Sequence, residues 1–239
     1  MIPLKIKKNI IIFGSGSHSK VVFSEIINLQ SYNILGFVDD FVKKGKKIFE
    51  YDGINYFNLG SIKNFLKYKN TNKFINSSTG KNICGIIGVG FNCIREKIRD
   101  QVIEIDKNFK WETIISKNAI LNGKIKIGKG SLIMSGVVIN TQTEIGDHCI
   151  INTSSSIDHD NKFKNFSSCG PGVITGGNVT IGKYSYLGIG SIVKQGLRIG
   201  SNTVIGGNSF VNKNCSNNFI YFGVPIKKIR KRKLDENFF

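Results

Sequence analysis

Between Leu121 and Val211 the chain repeats with a period of six. Every sixth residue is apolar, from Leu121, Ile127, Ile133, Ile139, Ile145, Ile151 and Ile157 through Phe163 and Cys169 to Ile181, Leu187, Val193, Ile199, Ile205 and Val211, with Thr175 as the one polar member. The residue after each is nearly always Gly, Asn or Asp, as at Gly128, Gly146, Gly182, Gly200, Asn122, Asn140 and Asp158. These residue types tolerate a left-handed backbone, so a turn is expected at that position. Two positions before each apolar residue the side chain is usually small or β-branched, as at Ser131, Val137, Thr143, Ser155, Ser185 and Thr203. A period of six fits neither a helix nor a simple strand. It fits a coil with flat faces of six residues each, one side chain per face pointing inward. At three faces per coil the sixteen positions make roughly five stacked coils. Unrelated short strands would not hold one register for about ninety residues.

The 239 residues, 40% of them apolar, suffice for one or two domains with their own cores. No run of eighteen apolar residues appears, and the N-terminal lysines lead directly into a short strand with no cleavage site. Neither a signal peptide nor a membrane span is therefore expected. Five cysteines, at 84, 93, 149, 169 and 215, are odd in number and lack close pairs. Reduced thiols in a cytoplasmic protein follow, without a disulfide framework or a zinc cage. The formal charge of +18 would suit nucleic acid, yet no nucleic-acid motif lies under it. Such a field also favours anionic small molecules such as nucleotide diphosphates and coenzyme A.

Ahead of the repeat, residues 9–13 read as a buried strand, followed by Gly14-Ser15-Gly16-Ser17-His18-Ser19 and an amphipathic helix. This is the opening of a nucleotide-binding βαβ unit. A second strand, Ile34 to Val38, ends in Asp39-Asp40, where acidic groups can meet hydroxyls or amines of a ligand. Ser19 takes the place of the third glycine of the dinucleotide fingerprint, which argues against a nicotinamide cofactor. Residues 41–70 read as a loop with an irregular strand and a short helix near Ser61 to Tyr68. A strand from Cys84 runs to Gly88-Val89-Gly90, and a helix from Asn92 to Asp106 has Ile94, Ile98 and Val102 along its inner face. One strand, Trp111 to Ile115, leads into the repeat. Beyond the repeat, the apolar Phe219 to Pro225 segment can cap the solenoid end, and Lys227, Lys228, Arg230, Lys231, Arg232 and Lys233 are expected to form a short helix. The divisions are 1–115 for an α/β domain, 116–215 for the solenoid, and 216–239 for a cap and basic tail.

The chain has three histidines, His18, His148 and His159. His159, in Ile157-Asp158-His159-Asp160, falls two places after an inward residue, at an outward corner. An imidazole beside a carboxylate is the usual general base, and either Asp160 or Asp158 could supply the carboxylate. His148 reads as a surface or subunit-contact residue.

These features resemble a known family. The tandem hexapeptides, the run Asn152 to Asp160, the step Gly177-Asn178-Val179-Thr180-Ile181-Gly182 and the ending Phe222-Gly223-Val224-Pro225 are similar to bacterial acyltransferases of surface-sugar pathways. That group includes sialic acid O-acetyltransferases and N-acetyltransferases of nucleotide-linked 4-amino-4,6-dideoxy sugars, the UDP-N-acetylbacillosamine enzyme among them. The resemblance implies a Rossmann-like nucleotide-sugar-binding domain followed by a left-handed parallel β-helix that acts as a homotrimer, with active sites between subunits. It implies His159 as general base with Asp160 raising its basicity, and the Gly177 amide as oxyanion donor. Gly16, Ser17, His18, Asp39, Asp40 and Gly90 would hold the nucleotide-activated amino sugar. Acetyl-coenzyme A would lie along Ile189 and Gly207, with Ser168 standing where related enzymes can carry a second histidine. No metal is required. The expected reaction is direct acetyl transfer to the sugar's 4-amino group. O-acetylation of a sialic-type sugar and a non-catalytic binding solenoid are the rival readings.

Overall fold

The computed structural model describes residues 7–68 and 83–236. The first six residues, on which the reading of the N-terminus partly rests, lie outside the described residues. The chain divides into two compact units, Met1–Gly90 with Ile94–Glu112, and Phe91–Cys93 with Thr113–Phe239.

The first unit is a parallel sheet in the order β2-β1-β5-β6, built from β1 (Lys8–Phe13), β2 (Tyr32–Val38), β5 (Ile83–Ile87) and β6 (Lys110–Trp111). β1 is central, and Ile10, Ile11, Ile12 and Phe13 are fully buried, as continuous apolar strands in parallel sheets should be. Helix α1 (Ser17–Leu29) follows the glycine turn. Residues 47–57 form a hairpin, β3 (Lys47–Tyr51) and β4 (Ile54–Phe57), where only an irregular strand was expected. Its turn is Asp52-Gly53, both with positive φ, the favoured two-residue hairpin sequence. α2 (Ile62–Tyr68) and α3 (Asn92–Ile105) complete the helices. On α3, Ile94 faces solvent, contrary to its expected inward position, while Val102 is buried. The side chain turned inward in that first turn is Arg95, only 1% exposed, whose guanidinium donates to the Gly90 carbonyl at 2.7 Å. A satisfied hydrogen bond allows a charged side chain to displace an apolar one there.

The expected strand from Trp111 to Ile115 is two strands in two sheets. β6 pairs with β5, whereas β7 (Ile114–Ile115) pairs with a solenoid strand. The six-residue register already applies there, because Ile115 lies one step before Leu121 and Thr113 donates its hydroxyl to the Gly128 carbonyl.

The second unit is a left-handed parallel β-helix. Sixteen two-residue strands, β8 (Ile120–Leu121) to β23 (Phe210–Val211), recur every six residues, and those from β8 to β20 pair with the strand eighteen residues on. The second residue of each pair points inward; from Ile133 to Val211 these positions are buried. Burial of each Ile, Leu or Val is worth about 1.5–3 kcal/mol. Leu121 and Ile127 are partly open, because they belong to the first coil, which has no preceding coil to cover it. Even Thr175 is buried, and its hydroxyl accepts a 3.4 Å hydrogen bond from the Asp158 amide.

The other two registers have physical causes that differ in part from the expectation. The left-handed residues are not those directly after the inward position but those three after it, such as Gly130, Gly136, Gln142, His148, Ser154 and Asp160. Glycine directly after the inward residue answers to close approach: a Cβ on Gly182 would lie 2.4 Å from the Ser201 nitrogen, and one on Gly188 2.5 Å from the Gly207 nitrogen. The small residues two before it are buried and bind the next coil. Ser131 donates to the Gly146 carbonyl at 2.8 Å, Thr143 to Asp158 at 2.9 Å and Thr203 to Ser216 at 2.7 Å.

The outward rows give each face its own character. One carries Leu132, Ile150, Ser168 and Val204, all buried. The second carries Ile120, Ile174 and Ile192 in exposed positions. The third carries Lys126, Glu144, Lys162, Thr180 and Arg198. His148 is buried, not a surface residue: its ring stacks 5.1 Å from Phe166, which stacks in turn on Tyr184. At the C-terminal end β24 (Phe219–Phe222) adds to the first face beside Val204–Ile205. The basic cluster is a strand, β25 (Lys227–Lys231), antiparallel to β24, and not a helix. β24 offers an open edge whose backbone groups need partners, and a strand supplies them where a helix would not.

Candidate active site

His159 lies in the turn between two faces of the β-helix, half exposed. Its Nδ1 is 2.7 Å from the Asp160 carboxylate, and the exposed carboxylate can only accept, so Nδ1 carries the proton and Nε2 keeps its lone pair. Asp160 reaches the ring because its own backbone is left-handed, with φ 58°, a conformation Asp tolerates. The hydrogen bond that Nδ1 donates to Asp160, aided by the Asp158 and Asp160 charges, raises the imidazole pKa above its ordinary 6.5. Asp158 acts differently. Its carboxylate accepts the His159 backbone amide at 2.8 Å and the Asn140 amide at 3.0 Å, and these bonds hold its pKa low.

One coil on, Gly177 lies against the imidazole: a Cβ there would stand 2.5 Å from both Cε1 and Nε2. Glycine is therefore what lets the ring lie over this part of the backbone. Among the described residues no acceptor meets the Gly177 amide, whereas its carbonyl takes a 2.9 Å hydrogen bond from Gly196. A basic nitrogen, a carboxylate behind it and an open backbone N–H beside it are the parts needed to move a proton and hold a developing oxyanion. The sequence had not singled out Asn161, which is fully buried beneath this turn.

Ile189 and Gly207 line a groove of about 330 Å³ together with Tyr186, Gly206, Phe222 and Arg230. Ile189 is 59% exposed, and its γ-carbon would be 3.1 Å from a Cβ on Gly207, so the two form one open wall. Ser168 is not on that wall. It is buried, and its hydroxyl donates to the Asn92 side-chain carbonyl at 2.7 Å, so that side chain is unavailable to a coenzyme.

In the first unit, the amino end of α1 carries Gly16, Ser17 and His18. Ser19 is buried and donates to the Gly16 carbonyl at 2.6 Å, which ties the turn to the helix. The close approach that a third glycine would allow is supplied from the neighbouring strand end, since a Cβ on Gly88 would sit 2.8 Å from that of Ser19. Asp39 braces the same turn: one oxygen accepts both the Ser15 amide at 2.9 Å and the Ser15 hydroxyl at 2.6 Å. Asp40 accepts the Ile62 amide at 2.8 Å at the start of α2. Burial, with the Arg95 charge adding to it, drives the His18 pKa down to about 4. Its Nε2 is buried and meets no partner among the described residues. Among the described residues no group of three or more His, Cys, Asp or Glu side chains could hold a metal ion, and no helix is long and apolar enough to cross a membrane.

Comparison with known proteins follows the same division. Residues 9–102 match the PglD N-terminal domain, and residues 124–159 match the bacterial transferase hexapeptide of six repeats. A GDP-perosamine N-acetyltransferase of Escherichia coli O157:H7 is 29% identical over 192 residues, 78% of each chain. The acetyltransferase domain of PglB from Neisseria gonorrhoeae FA1090, solved also in complex with acetyl coenzyme A, is 25% identical. It has a TM-score of 0.79 and covers 93% of this chain and all of its own. A GDP-perosamine N-acetyl transferase from Caulobacter crescentus, at 24% identity, shares the fold with a TM-score of 0.80 over 93% of this chain and 97% of its own.

Proposed function

Because the chain belongs to the hexapeptide-repeat sugar acyltransferases, we propose that it moves the acetyl group of acetyl-coenzyme A onto the 4-amino group of a nucleotide-linked 4-amino-4,6-dideoxy sugar. The observation that carries this reading is the meeting of the His159–Asp160 pair with the open Gly177 amide. His159 Nε2 takes the proton of the amine as its nitrogen attacks the thioester carbonyl. The Gly177 N–H donates to the resulting oxyanion, the C–S bond breaks, and the imidazolium returns its proton to the departing thiolate. General-base help is worth a factor of roughly a hundred to ten thousand, and one oxyanion donor roughly a hundred to a thousand.

The groove along Ile189 and Gly207 is assigned to the coenzyme, with support from the acetyl-coenzyme A complex of the Neisseria relative. The sugar nucleotide is assigned to the turn at Gly16, Ser17 and His18 with Asp39, Asp40 and Gly90, where helix N–H groups favour an anion. Asp39, already bonded to Ser15, acts there by shaping the turn. The His159 corner and the Ile189 corner flank the face with the exposed Ile120, Ile174 and Ile192. A second copy covering that face would bring one subunit's base to its neighbour's coenzyme wall, which supports a homotrimer. The double variant Ile174→Asp/Ile192→Asp should fall to monomer mass by light scattering and lose activity; an unchanged mass would remove the trimer from this scheme.

The deciding experiment is thiol release from acetyl-coenzyme A against a panel of acceptors. Release with GDP-, UDP- or dTDP-4-amino sugars is expected. Release only with sialate or CMP-sialate would make the enzyme an O-acetyltransferase, and no release with any acceptor would overturn the catalytic reading.

A further inference from the structure

The position two before each inward residue is held by Ser, Thr, Val, Cys or Ala at most steps, and at Asn161 by a larger amide. The site it occupies is fully buried. Its Nδ2 lies 2.6 Å from the Asp158 carbonyl, 3.3 Å from the His159 carbonyl and 3.0 Å from the Gly176 carbonyl. Three surrounding carbonyls fix the amide orientation, since its oxygen could not face them. That oxygen is buried and meets no partner among the described residues. A Thr would fill the place without that cost, as Thr143 and Thr203 do in their coils.

The Gly176 carbonyl and the Gly177 N–H belong to one planar peptide group. A donor fixed on the carbonyl side therefore sets the direction of the N–H on the other, and draws electron density from it. The same Nδ2 grips the carbonyls on either side of the His159 nitrogen. We infer that Asn161 is a positioning residue for acetyl transfer, aligning the oxyanion-donor peptide Gly176–Gly177 with the base-bearing turn at His159. This rests on the proposed roles of His159 and Gly177 in this site.

The chain itself supplies matched replacements. Thr at 143 and 203 and Val at 137, 173 and 179 occupy the same register fully buried, so Asn161→Thr and Asn161→Val are both compatible with the coil. They have nearly the same shape, and only Thr can donate to the Gly176 carbonyl. In the full-length enzyme Asn161→Val should lower kcat about tenfold or more, less than the roughly hundred- to thousandfold of an oxyanion donor lost outright, because the Gly177 N–H is misaligned and not removed. KM for acetyl-coenzyme A and the acid limb of the pH profile, which reports His159, should stay unchanged. Asn161→Thr should recover most of the lost kcat. Equal kcat in the two variants at similar melting temperatures would overturn the inference. Should His159→Ala instead retain wild-type turnover, the fault would lie with the catalytic reading beneath it.

Discussion

His18 and His159 are the same side chain put to opposite electrostatic use. At the start of α1, burial and the nearby Arg95 charge press the His18 imidazole down to about 4, so it is neutral throughout the physiological range. In the β-helix turn, the hydrogen bond to Asp160 and the Asp158 and Asp160 charges push the half-exposed His159 upward. The first can recognise but cannot usefully exchange a proton; the second can. Desolvation decides one and a carboxylate at hydrogen-bond distance decides the other.

The contrast predicts an unequal pair of knockouts. His159→Ala should lower kcat about a hundredfold or more with the fold intact by circular dichroism. His18→Ala should leave kcat near wild type and raise KM for the sugar nucleotide about five- to tenfold, the worth of one hydrogen bond of about 1 kcal/mol. Equal losses of kcat would erase the distinction. A subtler effect is expected from Asp160→Asn. The carboxylate favours the imidazolium, so its removal lowers the His159 pKa, and the acid limb of kcat/KM should move to lower pH, with a reduced plateau. A limb that stays in place would mean that another group titrates. The smallest signal is spectroscopic: NMR of the imidazole protons between pH 5 and 8 should show His159 titrating and His18 silent.

Much of this was readable in the chain. The apolar six-residue register survives without a slip, even at Thr175, because a repeating interior admits one side chain per face and the sequence records it directly. The glycine register was legible as a pattern but not as a cause. Backbone crowding between coils and left-handed φ select the same residue type: Gly182 meets the Ser201 backbone, whereas Gly136 carries the positive φ. The Asp52-Gly53 hairpin carried its own turn signal within a polar stretch that hid the flanking strands. Ile94 and His148 depart from expectation for a shared reason: a polar side chain goes inside when a carbonyl or an aromatic stack awaits it, as the Gly90 carbonyl does for Arg95 and Phe166 for His148. Composition suggests a helix for the basic residues of β25, whereas the open edge of β24 decides their conformation. At the site, the acidic pair Asp39-Asp40 was visible but its internal duty to Ser15 and Ile62 was not. Asn161 stood in plain view as an oversized member of a small-residue register.

The contact of the His159 ring with Gly177 has a consequence for how such an enzyme can change. The two residues are eighteen apart in the chain, one full circuit of the coil, so their separation is the strand spacing of the sheets, about 4.8 Å. No loop sets it. The distance from the proposed base to the proposed oxyanion donor is in effect a lattice constant, guarded by every hydrogen bond between those coils, so new acceptor preferences would have to arise in the parts proposed to hold the sugar.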